Sequence, residues 1–328
     1  MKTLVTGATG FIGNHLVKSL LEKGRDIRCL VRKTSNKSSL ENLGVELAYG
    51  DLLDKDSLKK AVKNINIIYH LGGEVYSSRV VDYYKTNIQG TKNILEASLS
   101  SPIEKFIYFS SIAAAGPNYD KNKLINEDDP CKPVTSYGMS KLEAEKAVKN
   151  FYEKYNLPVM IVRLPVVYGP GQSKDVTKIF KMVIKGQFIF FGNGENIKSL
   201  CHIENLIYGS TLVEEYKDSK FEVFYIADGD PYTISYIVKT IAAKAGMELS
   251  CFYFPSFLAD IPWLFYITFI KFGISSMLLY IPKSLSLNFG CDISKARKKL
   301  FYTPMVRFEK GIEDTLNWLL SNTNLNKL

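Results

Sequence analysis

Through the first half of the chain, short runs rich in β-branched and aromatic residues alternate with longer stretches whose apolar residues recur every three or four positions. Thr3 to Thr6, Asp26 to Val31, Val45 to Tyr49, Asn66 to His70, Lys105 to Phe109 and Val159 to Arg163 read as strands. Between them, Phe11 to Lys23 (closed by Gly24), Lys55 to Lys63, Val80 to Leu99 and Ser136 to Tyr155 read as helices. Strand and helix in alternation predict an α/β fold with a doubly wound parallel sheet, because parallel neighbours need crossovers and right-handed ones dominate. After about Pro165 the rhythm breaks at Tyr168-Gly169-Pro170-Gly171 and again at Gly192-Asn193-Gly194. Residues 1–170 are therefore expected to form one unit, and 171–328 a smaller α+β region that returns a late strand, Val223 to Ile226, to the sheet.

Composition narrows the class. The 328 residues are ample for a buried core, and 46% apolar with 23% charged residues is ordinary for a globular chain. Only the Asn-rich tail Ser321 to Leu328 reads as unpacked. The net charge of +9 would suit nucleic acid or an anionic surface, but the basic residues are spread along the whole chain without an RNA-binding or zinc-finger signature. No nucleic-acid partner is expected. Cys29, Cys131, Cys201, Cys251 and Cys291 stand far apart and are odd in number, which fits free thiols in a reducing cytoplasm. Met1 runs directly into structure without an export signal, so a cytoplasmic location is expected. His15, His70 and His202 lack ligand spacing, and no metal site is expected.

Thr6-Gly7-Ala8-Thr9-Gly10-Phe11-Ile12-Gly13 follows the first strand and opens the first helix, the context that a dinucleotide fingerprint requires. Gly7, Gly10 and Gly13 permit a tight turn and a close approach of pyrophosphate, and the N–H groups at the helix start, from Phe11 and Ile12 onward, attract an anion. The expected sheet is thus of Rossmann type. Arg32 and Lys33 end the second strand, where an acid would bind a ribose hydroxyl and a base a 2′-phosphate, so the choice between NAD and NADP leans to NADP.

Tyr137 and Lys141 lie four apart at the start of an amphipathic helix and share one face. An ammonium beside a phenol lowers its pKa from near 10, as general acid/base work at neutral pH requires. The strand Phe106 to Phe109 delivers Ser110 and Ser111 to the end of the sheet where ligands collect, and a hydroxyl there can hold a reacting oxygen.

Taken in order, the glycine loop, Gly50-Asp51-Leu52, His70-Leu71-Gly72-Gly73, Asn87 with Gly90-Thr91, Ser110-Ser111, Tyr137-x-x-x-Lys141 and Arg163-Leu164-Pro165-Val166-Val167-Tyr168-Gly169-Pro170 resemble the extended short-chain dehydrogenase/reductases. This is the NAD-dependent epimerase/dehydratase group. The resemblance implies an enzyme in which Asp51 and Leu52 contact adenine, Leu71, Gly72 and Gly73 the dinucleotide backbone, and Pro165 with Val167 the nicotinamide end, with Asn87 among the cofactor-binding positions. It also implies that Tyr137 exchanges the hydroxyl proton, Lys141 holds the nicotinamide ribose and Ser111 orients the substrate oxygen. Gly72-Gly73 stands where the family carries alanines, which is expected to loosen that loop. A homodimer through the helices 80–99 and 136–155 is implied as well.

Within the group, Ile112-Ala113-Ala114 lacks the acid pair of dehydratases, and Lys198 occupies roughly the place of the arginine with which epimerases grip a diphosphate. Ser110-Ser111-Ile112, Ala115-Gly116-Pro117-Asn118 and the Gly-Asn-Gly-Glu-Asn segment resemble more the 3β-hydroxysteroid and sterol-4-carboxylate dehydrogenase branch, with dihydroflavonol reductases as relatives. The aromatic run Phe252 to Pro282 fits an apolar substrate under a roof of Trp263, Phe265, Phe269 and Tyr280. Broken by Pro262 and Lys271, it is expected to form a pocket or lid, or a peripheral membrane contact through 255–285. The function expected is an NAD(P)-dependent alcohol–ketone interconversion on a small, ring-bearing or lipid-like molecule. A nucleotide-sugar epimerase is the alternative within the family, and a non-catalytic dinucleotide-binding regulator the alternative outside it.

Overall fold

The computed structural model describes residues 1–120, 123–172 and 175–322. The end of the Asn-rich tail, from residue 323, lies outside the described residues. Seven parallel strands form one sheet: β1 (Lys2–Thr6), β2 (Asp26–Val31), β3 (Glu46–Tyr49), β4 (Ile67–His70), β5 (Lys105–Ser111), β6 (Val159–Leu164) and β7 (Phe221–Tyr225). Their order is β7-β6-β5-β4-β1-β2-β3. The chain leaves β1 to one side and crosses back to β4 on the other, so the crevice between their C-terminal ends is the position where ligands bind in such sheets. The register aligns those ends: Thr6 lies opposite both Leu30 and His70, and Ser111 opposite Leu164.

Both faces of the sheet are covered, which is why its inner strands read as nearly continuous apolar runs. Successive residues feed opposite cores. Leu4, Ile68, Phe106 and Tyr108 pack with Ile94, Ala144 and Val148, whereas Val5, Tyr69, Ile107 and Phe109 pack with Leu16, Leu20 and Ile207. α1 (Phe11–Glu22) ends where expected, at Gly24 with φ +71°. β5 runs two residues further than the pattern predicted. The expected helix 80–99 ends at Ser98 and contains a wider π-helical stretch, Tyr84–Gln89, between two α-helical ones.

The second half returns β7 to the sheet edge, as expected, and builds a third core from Phe180, Phe188, Phe190, Val238, Phe308 and Ile312. α2 (Ser136–Tyr155) crosses the sheet, capped by the Thr135 hydroxyl, which accepts from Gly138 N–H. Beyond the strand Cys251–Phe254, α3 (Asp260–Lys271) and α4 (Met277–Ser286) form a hairpin. Its turn is tied to the first half: Val80 N–H donates to Gly273 C=O at 2.9 Å and Ser275 N–H to Ser78 C=O at 2.8 Å. Among the described residues no helix is long and apolar enough to cross a membrane.

Candidate active site

The glycine loop is closed by steric necessity. Gly7 sits at φ +72°, and a Cβ there would lie 2.8 Å from Gly72 N; a Cβ on Gly13 would lie 2.2 Å from Gly7 O. The loop, the first turn of α1 and the end of β4 are therefore in backbone contact. α1 begins at Gly10 without a side-chain cap or an acid in its first turn, leaving the N–H groups of Phe11, Ile12 and Gly13 to face an anion. A cradle this close, at an uncapped helix start, fits a dinucleotide pyrophosphate.

A buried polar chain fixes that cradle. Gly72 N–H donates to Thr6 Oγ1 at 3.0 Å, Thr6 Oγ1 lies 2.7 Å from His70 Nδ1, and His70 Nε2 lies 3.0 Å from Thr91 Oγ1. Burial, reinforced by Lys141, pushes the His70 pKa down to about 3, so the ring is a neutral connector. The 72–73 loop is tighter than its glycines suggested: a Cβ on Gly72 would come 3.0 Å from Thr6 Oγ1, and one on Gly73 would come 2.9 Å from Asn87 Oδ1. The glycines are accommodated by close packing, and the expectation of a loosened loop is corrected.

The remaining expected cofactor positions follow the strand ends in turn. Arg32 is exposed just beyond β2 and makes no ion pair among the described residues. Asp51 follows β3 and accepts from Leu53 N–H at 2.9 Å, while Leu52 packs against Gly72 and Gly90. Leu71 N–H donates to Thr6 C=O at 3.3 Å. Pro165 and Val167, both buried, follow β6. Asn87, in the π-helical stretch, is consumed internally: its Oδ1 accepts from Glu74 N–H, and its Nδ2 donates to Glu74 C=O and to Ser140 Oγ, which in turn donates to Tyr137 C=O. The wider turn thus aims Asn87 at the start of α2.

Ser111, Tyr137 and Lys141 meet at the end of β5. Burial pushes the Tyr137 pKa up to about 12, with the Ser111 side chain pulling the other way. The expected depression of Tyr137 by Lys141 is absent, because the amine is turned elsewhere. Lys141 Nζ donates to Phe109 C=O at 2.6 Å and lies 4.2 Å from the centre of the Tyr108 ring, and burial brings its pKa down to about 7. One turn further along α2, Glu145 takes the Ser110 hydroxyl and both sides of the Arg163 guanidinium, with Nη2 to Oε2 at 2.7 Å. Arg163 is therefore occupied.

The pattern missed what lies above Tyr137. The Tyr83 ring stands edge-on to it, centroids 6.2 Å apart, and Tyr266 of α3 lies beside Ser136, Ser275 and Tyr83. Tyr266 stacks on Trp263 at 5.2 Å and touches Tyr280 at 5.7 Å. The expected roof is half right: Trp263 and Tyr280 face inward, but Phe265 and Phe269 are exposed, and Tyr266 takes their part. Its signal was the three-residue spacing from Trp263, submerged in a run where nearly every residue is apolar. Lys198, expected near a diphosphate, donates to Ser284 C=O at 2.5 Å over the Phe289 ring, and its pKa falls to about 7 on burial. Arg297 is exposed beside Gly229.

The family described as "NAD dependent epimerase/dehydratase family" matches residues 3–227. UDP-glucose 4-epimerase of Vibrio cholerae is 27% identical across 98% of this chain and 96% of its own. The sterol-4-alpha-carboxylate 3-dehydrogenase, decarboxylating, of Mus musculus is 26% identical across 96% and 90%. Among solved structures, gox2253 superposes with a TM-score of 0.83 at 26% identity, covering 97% of this chain and 98% of that one.

Proposed function

This chain belongs to the NAD-dependent epimerase/dehydratase family of extended short-chain dehydrogenase/reductases, and on that premise we propose that it interconverts a secondary alcohol and its ketone on an apolar, ring-bearing or lipid-like molecule. The carrying observation is the aromatic roof of Trp263, Tyr266 and Tyr280 over Tyr83 and Tyr137. Such a ceiling favours apolar surface at ~25 cal/mol per Å² buried. A sugar diphosphate would exchange strong hydration for few partners, since Lys198 and Arg163 are already engaged.

In this reading a nicotinamide held at this site would supply or accept the hydride. Tyr137 Oη gives its proton to the forming alkoxide, or takes it back in the reverse direction, and Ser111 Oγ holds the reacting oxygen. Lys141 would hold the nicotinamide ribose. The first-turn N–H groups of α1 bind the pyrophosphate, Asp51 and Leu52 flank the adenine, and Arg32 meets a 2′-phosphate, hence NADP. We extend the proposal to a division between a cofactor-binding 1–170 and a substrate-binding 171–328, and to a reducing cytoplasm suited to five free cysteines. It further includes a homodimer through 80–98 and α2, on which Val81, Tyr84, Met139 and Tyr155 are exposed.

The test is turnover with either cofactor on sterol-like and flavonoid-like alcohols against UDP- and dTDP-sugars, repeated with Trp263→Ala. Turnover of apolar alcohols with a KM raised about tenfold or more in the variant is expected, from the loss of one buried aromatic. The likeness to UDP-glucose 4-epimerase makes epimerisation the second reading. Response to sugar nucleotides alone, unaffected at Trp263, would establish it instead.

A further inference from the structure

Surface helices usually turn charge outward, and α3 does not. Its charged residues, Asp260 and Lys271, stand at its two ends. Between them Ile261, Leu264 and Phe265 are each more than half exposed, and the same surface continues through Phe257 before the helix and Phe272 and Leu278 after it. The inner face of the hairpin covers the site around Tyr137; the outer one is apolar and covered by nothing in the described chain.

We propose that this outer face docks in the headgroup region of an anionic lipid bilayer and that the substrate enters the site from the membrane. The entry route rests on the apolar-substrate reading; the docking does not. Three observations favour a bilayer over a second copy of the chain. A protein partner is fixed in register by roughly one hydrogen bond per 100–200 Å² of interface. The one hydroxyl in the middle of the exposed face of α3, that of Thr268, is already donated to Leu264 C=O. A lipid surface requires no such register. The charge is complementary as well: Asp260 is neutralised by Lys283, while Lys271 is exposed at the end of the face with no carboxylate pairing it among the described residues. Length agrees too, because twelve residues rising 1.5 Å each span about 18 Å, short of the ~30 Å needed to cross but suited to lying flat.

The test is flotation of the full-length protein, cofactor present and substrate absent, with vesicles of phosphatidylcholine alone or containing about 30 mol% phosphatidylglycerol. The comparison is the Leu264→Gln/Phe265→Gln variant, whose two changes lie on exposed positions. Wild type should float with the anionic vesicles, less with neutral ones, and the variant should float at least about tenfold less with an unchanged melting temperature. Wild type remaining at the bottom of the gradient, or a variant that floats equally, overturns the proposal. So does a variant whose only change, by sedimentation velocity, is dissociation of a dimer. Turnover of water-soluble alcohols is read separately, so failure of docking and failure of the substrate reading give different results.

Discussion

At the C-terminal edge of the sheet, Thr6, His70, Thr91 and Asn87 each spend their polar atoms on another element, and Gly7 and Gly13 leave no volume for a Cβ. In the hairpin of α3 and α4, by contrast, many side chains stand in solvent and the aromatic ones facing inward pack ring against ring. The first region is over-determined: an added Cβ meets backbone at Gly7 and Gly13 and bonded side chains at Gly72 and Gly73, as a preorganised cofactor site requires. The second is under-determined, since ring stacking tolerates many shapes of similar volume. The difference explains how one fold serves many substrates, with cofactor geometry constant and the roof free to vary.

Tyr137→Phe should change the first region most. If Tyr137 transfers the proton, turnover should fall by ~10³-fold, while the dissociation constant of the dinucleotide stays within about twofold. Single-turnover kinetics with fluorescence titration of cofactor separates the two. A variant retaining more than about a tenth of wild-type turnover would move the acid/base role off this residue.

The sheet, its strand ends and the glycine loop were readable from the chain because backbone geometry demands particular residues there. Only glycine fits at 7 and 13, and the parallel order follows from crossovers. What was not readable depends on where a long side chain turns. Lys141 reaches Phe109 C=O and Lys198 reaches Ser284 C=O, and neither partner is marked by spacing, since 32 and 86 positions separate them. The π-helical stretch at Tyr84–Gln89 was hidden for the same reason, its register being set by Asn87 bonding across to Glu74 and Ser140. In the hairpin, apolarity without periodicity gave no means of telling the inward Tyr266 from the outward Phe265.

Arg32 sharpens the cofactor side by a smaller amount. It is exposed, unpaired among the described residues and placed just beyond β2. Arg32→Ala should weaken NADP by ~1.5–3 kcal/mol, the worth of a charged hydrogen bond, and leave NAD nearly unchanged. Parallel titrations of the two cofactors measure it, and equal losses would reduce Arg32 to a stacking surface for adenine.

A weaker change is expected at Lys141, at the sheet edge, and at Lys198, whose amine reaches α4. Both donate to a backbone carbonyl over an aromatic ring, and burial brings both pKa values to about 7. A folded-state pKa below the unfolded value of 10.5 means that between pH 7 and 10.5 the unfolded chain binds the additional proton, so each lysine makes stability rise with pH across that window. Below pH 7 both states are protonated, and the folded chain bears the full cost of an enclosed ammonium. Replacing either lysine by Met should therefore stabilise the protein most at pH 6, by on the order of 1–2 kcal/mol, and progressively less towards pH 10. Burial outweighs the favourable Glu145 charge at Lys141, and both amines come to the same value, so the two gains should be of similar size. Urea unfolding of the wild type and both variants at pH 6 and pH 9 decides the matter. A stability change that is the same at both pH values would show that neither amine loses its proton on folding. A larger gain from one of the two variants at pH 6 would mark that amine as the more confined.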